Sequence, residues 1–262
     1  MTSSNIAIRT DQLKIGYKKT PVAGDLNVSL RRGTVTALLG KNGVGKSTLI
    51  KTVTGVLPPL EGKVLLDEKE IQNYRRRELA RLMSLVSTDP DLAGGLTVRE
   101  VVSLGRQPFT GVFDRLDASD VKIVDEALQS AGIFHKADSF VANLSDGERQ
   151  KTMIARALAQ TSSIIIMDEP FSYLDVEGKI ELLSLMKKIA RENESAILFS
   201  THDVSLALRM ADRIWMFAEK GENHKIIFDR TPEELIASHD INLLFKSDNI
   251  KFDSVQNDFI AK

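Results

Sequence analysis

Residues Gly40 to Ser47 read Gly-Lys-Asn-Gly-Val-Gly-Lys-Ser and fit the phosphate-loop pattern G-x-x-x-x-G-K-[ST]. Glycines at 40, 43 and 45 let successive backbone N–H groups converge on phosphate oxygens. Lys46 brings a positive point charge to the β and γ phosphates, and the Ser47 hydroxyl offers a hard oxygen to Mg²⁺. The pattern requires a strand before it and a helix after it. The apolar run Val35 to Leu39 predicts the strand, and Ser47 to Val56, closed by Gly55 and Pro58-Pro59, predicts the helix. A glycine turn with a surface lysine is the plainer reading, and this context disfavours it.

A second constellation lies 122 residues beyond Lys46. Ile164-Ile165-Ile166-Met167 is an apolar strand that ends abruptly in Asp168-Glu169. A buried strand delivering two acids at its C-terminal tip builds a site in an α/β sheet. Strand alternation turns the two side chains opposite ways, so they take different roles. Asp168 is expected to hold Mg²⁺ through its coordinated water, and Glu169 to polarise the attacking water. A solvated strand end turning at Pro170 is the alternative for this pair alone.

Between the two lies Leu144-Ser145-Asp146-Gly147-Glu148-Arg149-Gln150, which resembles the signature motif of ABC-type ATPases. The resemblance covers nearly the whole chain in order. Tyr17 matches the A-loop aromatic, Gly40 to Thr48 the Walker A loop, and Ser145 to Gln150 the signature. Ile164 to Glu169 match Walker B, Ser172-Tyr173-Leu174-Asp175 the D-loop, and His202 the switch histidine. The family implies a head-to-tail dimer in which each ATP lies between one copy's Walker A loop and the other's signature, giving two equivalent sites. It also implies that Tyr17 stacks on adenine, that Asn42 and Thr48 join the loop's contacts, and that Ser145, Gly147 and Glu148 serve the opposite nucleotide. Asp175 would organise the seam, or cap the next helix, or both. His202 would contact the γ-phosphate and orient Glu169 and water, making Lys46, Glu169 and His202 the catalytic set.

Two positions depart from the family. Asp146 stands where Gly is common, and its carboxylate is expected to point away from phosphate. Thr88 stands where the family has a Gln that contacts Mg²⁺ and water and relays nucleotide state to the membrane partner. A Thr hydroxyl is too short to span that gap and would act through an intervening water, so Thr88 is a doubtful metal contact.

The elements that place these residues predict an α/β fold. The resemblance implies a P-loop ABC ATPase core with a mostly parallel sheet, an N-terminal antiparallel β-subdomain and an inserted α-helical subdomain. Ile6 to Tyr17, with Val28 and Leu30, alternates as half-buried antiparallel strands, and Gly62 to Asp67 adds another. Arg75 to Arg81 reads as a basic helix whose triple arginine is a solvated face, and Leu82 to Val86 as a strand. Helices are expected at Thr97 to Leu104, Asp120 to Ala131, Asp146 to Gln160, Gly178 to Glu192 and Val204 to Met210. A strand is expected at Ala196 to Ser200. Thr231-Pro232-Glu233-Glu234 starts a last helix, and the final twenty residues carry no assignment. One cassette over 1–262 is expected. Within it, 1–88 and 156–230 form the β-subdomain and nucleotide core, 89–155 the helical signature part, and 231–262 an extension.

The 262 residues are 42% hydrophobic, 27% charged and 6% aromatic, the composition of a globular protein with a sizeable core. A net charge of -1 argues against a large nucleic-acid-binding field, and the absence of cysteine excludes disulfides and thiolate sites. Met1-Thr2-Ser3-Ser4-Asn5 lacks the basic start and apolar core of a signal peptide, and no apolar run approaches a membrane span, which predicts no export and only peripheral membrane contact. Gly95 to Val102 and Leu104-Gly105-Arg106 with Pro108 resemble the cassettes of importers for iron-siderophore complexes, haem and cobalamin. That resemblance implies a peripheral homodimer at the cytoplasmic face, partnered by permease subunits and, indirectly, by an extracytoplasmic substrate-binding protein. The segment from Asp89 to Arg106 would form the permease groove. The competing reading is a soluble ABC ATPase acting on a macromolecular assembly, although this chain has neither a second cassette nor a long coiled-coil insertion.

Overall fold

The computed structural model describes residues 5–87, 95–111, 115–220, 224–244, 250–253 and 258–261. Thr88 and the start of the expected permease groove lie outside the described residues. The chain divides into two units: Met1–Tyr74 with Ala190–Lys262, and Arg75–Ile189 inserted between them in sequence.

The first unit opens with β1 (Ile6–Tyr17), β2 (Thr20–Leu26), β3 (Ser29–Arg31), β4 (Val35–Leu39), α1 (Lys46–Val53), β5 (Glu61–Leu66) and β6 (Lys69–Glu70). β1 is the hub of an antiparallel sheet ordered β2-β1-β5-β6, with β3 also paired to β1. Its alternation breaks where Gln12 adopts φ 45° and the β1–β5 register shifts between Asp11 and Lys14. The bulge lets Thr10 and Leu13 both be buried. All five residues of β4 are buried, as a strand covered on both faces requires.

The second unit holds α2 (Arg76–Leu82), β7 (Met83–Val86), α3 (Val98–Ser103), α4 (Ala118–Ser130), α5 (Asp146–Ala159), β8 (Ile164–Met167) and α6 (Val176–Glu192), which runs past its end. β7 and β8 pair in parallel, and the Asp168 N–H continues the ladder to the Val86 carbonyl at 2.8 Å. Helices α3, α4 and α5 pack through Val98, Val101, Val102, Val124, Leu128, Ile154 and Ala155. A buried ion pair joins them: Arg106 Nε lies 2.8 Å from Asp120 Oδ1, with side chains 7% and 10% exposed. Arg106 also donates to the Ala159 carbonyl at 2.8 Å and stacks 4.2 Å from the Phe109 ring. A Cβ on Gly105 would come 2.3 Å from the Arg156 carbonyl, so only glycine lets this turn reach α5. The Leu104-Gly105-Arg106 stretch is thus a packing device.

The triple arginine is only partly the solvated face its charge predicts. Arg77 Nε donates to the Pro108 carbonyl at 3.0 Å and its Nη2 to the Thr110 carbonyl, while Arg81 Nε reaches the same Pro108 carbonyl at 2.9 Å. The carbonyls of Pro108 and Thr110 thus take their donors from guanidinium forks on α2.

The chain returns to the first unit through β9 (Ala196–Thr201), α7 (Val204–Met210), β10 (Arg213–Lys220), β11 (His224–Arg230), α8 (Pro232–Ala237), a 3₁₀ turn at Asp240–Leu244, β12 (Ile250–Asp253) and β13 (Asp258–Ala261). Strands β10, β4 and β9 pair in parallel in that order, as alternating strands and helices predict, and β11 closes the β10 side antiparallel. The β10–β11 hairpin, β2 and the β12–β13 hairpin are additions to the elements expected from sequence.

Candidate active site

The phosphate loop leaves β4 at its C-terminal end and enters α1. Gly43 and Gly45 have φ of 75° and 122°, conformations a side chain would strain. A Cβ on Gly40 would meet Val44 Cγ1 at 2.9 Å and Phe217 Cβ at 3.1 Å. The three glycines therefore serve two needs: close packing at 40 and left-handed backbone at 43 and 45. The Lys46 side chain is buried, and its Nζ donates to the carbonyls of Gly40 at 2.8 Å and Lys41 at 3.3 Å. It is thereby folded across the loop rather than extended into solvent. Ser47 is exposed on the first turn of α1.

Tyr17, the last residue of β1, is 47% exposed, and its hydroxyl oxygen accepts from Thr48 Oγ1 at 3.5 Å. An exposed ring beside the loop is placed for stacking on a flat ligand group. His202 follows β9. It lines a cavity of about 200 Å³ with Leu39, Gly40, Lys41, Asn42, Val204 and Leu244. Tyr17, the loop and His202 thus converge within the first unit.

The second unit carries the other predicted groups. Asp168 and Glu169 sit half-buried at the tip of β8. Glu169 has φ 49°, a left-handed backbone that a β-carbon makes costly and that functional sites tend to store. Ser145 is the N-cap of α5. Its Oγ accepts from the Glu148 N–H at 3.3 Å, and Glu148 Oε2 accepts from the Ser145 N–H at 2.9 Å. That backbone bond first, then Lys136 at 3.1 Å, holds the Glu148 carboxyl below the usual glutamate range. Asp146 Oδ1 takes Arg149 Nη1 at 3.1 Å, one turn along the same helix. A Cβ on Gly147 would lie 3.2 Å from the Tyr173 carbonyl, which brings the α5 N-terminus against the 172–175 loop. Asp175 accepts from the Gly178 N–H at 2.8 Å as a cap at the start of α6.

Among the described residues no cluster of three or more His, Asp or Glu side chains is built to cage a metal. A hydroxyl and a carboxylate, Ser47 and Asp168, are hard oxygen donors of the kind Mg²⁺ uses when waters and substrate phosphates complete its shell. The donor chemistry therefore fits.

Residues 23–172 match the family model for the ABC transporter. The chain belongs to the ABC transporter ATP-binding family. The cassette is 38% identical over 255 residues to an uncharacterized ABC transporter ATP-binding protein of Methanocaldococcus jannaschii, covering 97% of this chain and 87% of that one. It is 37% identical over 245 residues to the ferric enterobactin transport ATP-binding protein of Escherichia coli, covering 94% and 89%. It is also 37% identical over 205 residues to the iron(3+)-hydroxamate import ATP-binding protein of Bacillus subtilis, covering 78% and 76%. Among solved structures, a cassette from Clostridium perfringens that is part of the ABC transporter complex cbiONQ is 30% identical with a TM-score of 0.76, covering 91% of this chain and 93% of that one. A dimeric ATP-binding cassette in a post-hydrolysis state bound to ADP and Pi is 25% identical with a TM-score of 0.71, covering 80% and 93%. The expected α/β P-loop ABC ATPase fold is the observed one, and the cassette is an ATP-binding, ATP-hydrolysing protein.

The motif residues were visible in the sequence. Two neighbours of the phosphate loop were not: Lys225, whose Nζ donates to the Val44 carbonyl at 2.9 Å, and Leu244. Both lie some two hundred positions downstream and outside any motif, Lys225 on β11 and Leu244 at the end of the 3₁₀ turn, and only the tertiary fold brings them there.

Proposed function

We propose that the cassette is the energy-coupling subunit of an importer for metal chelates of the iron-siderophore, haem or cobalamin kind. It works as a head-to-tail homodimer on membrane permease subunits served by an extracytoplasmic substrate-binding protein. The observation that carries this reading is likeness over 94% of the chain to a cassette named for ferric enterobactin transport and over 78% to one named for iron(3+)-hydroxamate import. Petrobactin and cobalamin import cassettes are further relatives, at 35% and 32% identity. No helix among the described residues is long and apolar enough to cross a membrane, so this reading assigns the spanning path to other subunits. The cassette would lie peripherally at the cytoplasmic face, with 89–155 as its helical signature part and 231–262 as an extension.

In this account Tyr17 stacks on adenine, and the backbone of Gly40, Asn42, Gly43, Gly45 and Thr48 with Lys46 receives the phosphates. Ser47 and Asp168 would hold Mg²⁺, which when bound neutralises charge on the β and γ phosphates. Glu169 takes a proton from the attacking water, and His202 holds the γ-phosphate end in register with it. Ser145, Gly147 and Glu148 of a second copy complete the site, and Asp175 lies at the seam. Thr88 occupies the position that relays nucleotide state to the permease.

Tagged chain purified from native membranes in mild detergent tests the transport reading. Mass spectrometry is expected to find a multispanning permease with it. Recovery solely from the soluble fraction, in a complex without membrane proteins, would contradict it.

A further inference from the structure

The β10–β11 hairpin takes no part in any motif, yet it touches the phosphate loop at several points. Phe217 of β10 packs under Gly40, and the cavity of about 110 Å³ behind the loop is lined by Lys41, Val44, Phe217 and Leu244. From β11, the half-buried Lys225 sends its ammonium 2.9 Å to the Val44 carbonyl, across 181 positions of sequence. The Val44–Gly45 peptide is trans, so its C=O and N–H point in opposite directions. Pulling the carbonyl toward Lys225 turns the Gly45 N–H away from it, and a cation on the carbonyl polarises that N–H into a stronger donor. Val22 Cγ1 sits 2.7 Å from where a Cβ on Gly45 would be, so the residue that follows the carbonyl is closely packed as well.

We infer that Lys225 is a positioning residue for nucleotide binding: it orients and polarises the Val44–Gly45 peptide so that the Gly45 N–H is set to receive phosphate. The inference rests on the reading of Gly40 to Ser47 as the nucleotide loop. Because the Gly45 N–H is assigned to the β-phosphate rather than to the α-phosphate or the base, Lys225 should affect nucleotides with a β-phosphate and leave AMP alone. Because it acts by charge and reach, arginine should substitute for it and methionine should not.

The test is binding of fluorescent N-methylanthraniloyl ATP and AMP to the intact chain, with Lys225→Met, Lys225→Arg and Lys46→Ala side by side. Loss of one charge-assisted hydrogen bond should weaken ATP binding by about tenfold in Lys225→Met. AMP binding should be unchanged, and Lys225→Arg should stay near wild type. Unchanged ATP affinity in Lys225→Met, an equal loss for ATP and AMP, or an equal loss in the arginine variant would overturn the inference. Wild-type ATP affinity in Lys46→Ala would instead remove the loop assignment itself, and the inference with it.

Discussion

At the residue scale the cassette spends few groups on chemistry and several on holding them. Gly40 allows close packing, Gly43 and Gly45 supply left-handed backbone, and Lys46 folds across the loop. Glu169 carries the strained backbone expected where a reacting group must be aimed. Arg106 serves the opposite purpose, since its charge is spent on structure: Asp120, two neighbours on the far side and the Phe109 ring consume its donors and its face. Removing one partner of a buried, hydrogen-bonded pair strands the other. Asp120→Asn is therefore expected to cost about 3–5 kcal/mol of stability, measured by denaturant unfolding of the whole chain. A change within experimental scatter would mean that water reaches the guanidinium.

At the scale of elements, helix starts dominate the second unit. Thr97 with Glu100, Asp117 with Asp120 and Ser145 with Glu148 are reciprocal caps. In each, an acid accepts backbone N–H bonds, and Glu100, Asp117 and Glu148 all titrate below their ordinary range for that reason first or second. A depressed carboxyl stabilises the fold above its unfolded pKa. That contribution is lost as pH falls through the folded value, because the unfolded chain takes up the proton sooner. Thermal melts from pH 7 to pH 3 should thus fall more steeply for wild type than for Glu148→Gln below about pH 4.3. Parallel slopes would deny the cap its charge.

A fourth such cap, Thr231-Pro232-Glu233-Glu234, is the one legible in the sequence as a helix start, that of α8. The same spacing of Thr or Ser before Glu opens α3 and α5, while Ala196 to Phe199 and Ile164 to Met167 announce themselves as unbroken apolar runs. What escaped has a physical cause. β2 reads Thr-Pro-Val-Ala-Gly-Asp-Leu, with proline and glycine inside it, and is held in place by pairing with β1 rather than by its own propensity. The β10–β11 hairpin owes its position to β4, and Lys225 owes its reach to that hairpin. The arginines of α2 were readable as charge, but their carbonyl partners at Pro108 and Thr110 belong to a turn 27 to 33 positions away.

At the scale of the whole molecule, the predicted groups fall into two sets. Tyr17, the phosphate loop and His202 belong to one unit, and Ser145 to Glu148, Asp168, Glu169 and Asp175 to the other. In the proposed function, turnover would be a property of the dimer, which would give ATP the means to drive a permease. The central claim is that MgATP joins two cassettes and that Glu169 parts them by hydrolysis. The most direct measurement is the solution mass of Glu169→Gln by light scattering, with and without MgATP. The account predicts one chain without nucleotide and a stable pair with it, in a variant that releases almost no phosphate. A mass that stays at one chain while phosphate release continues at the wild-type rate would contradict it.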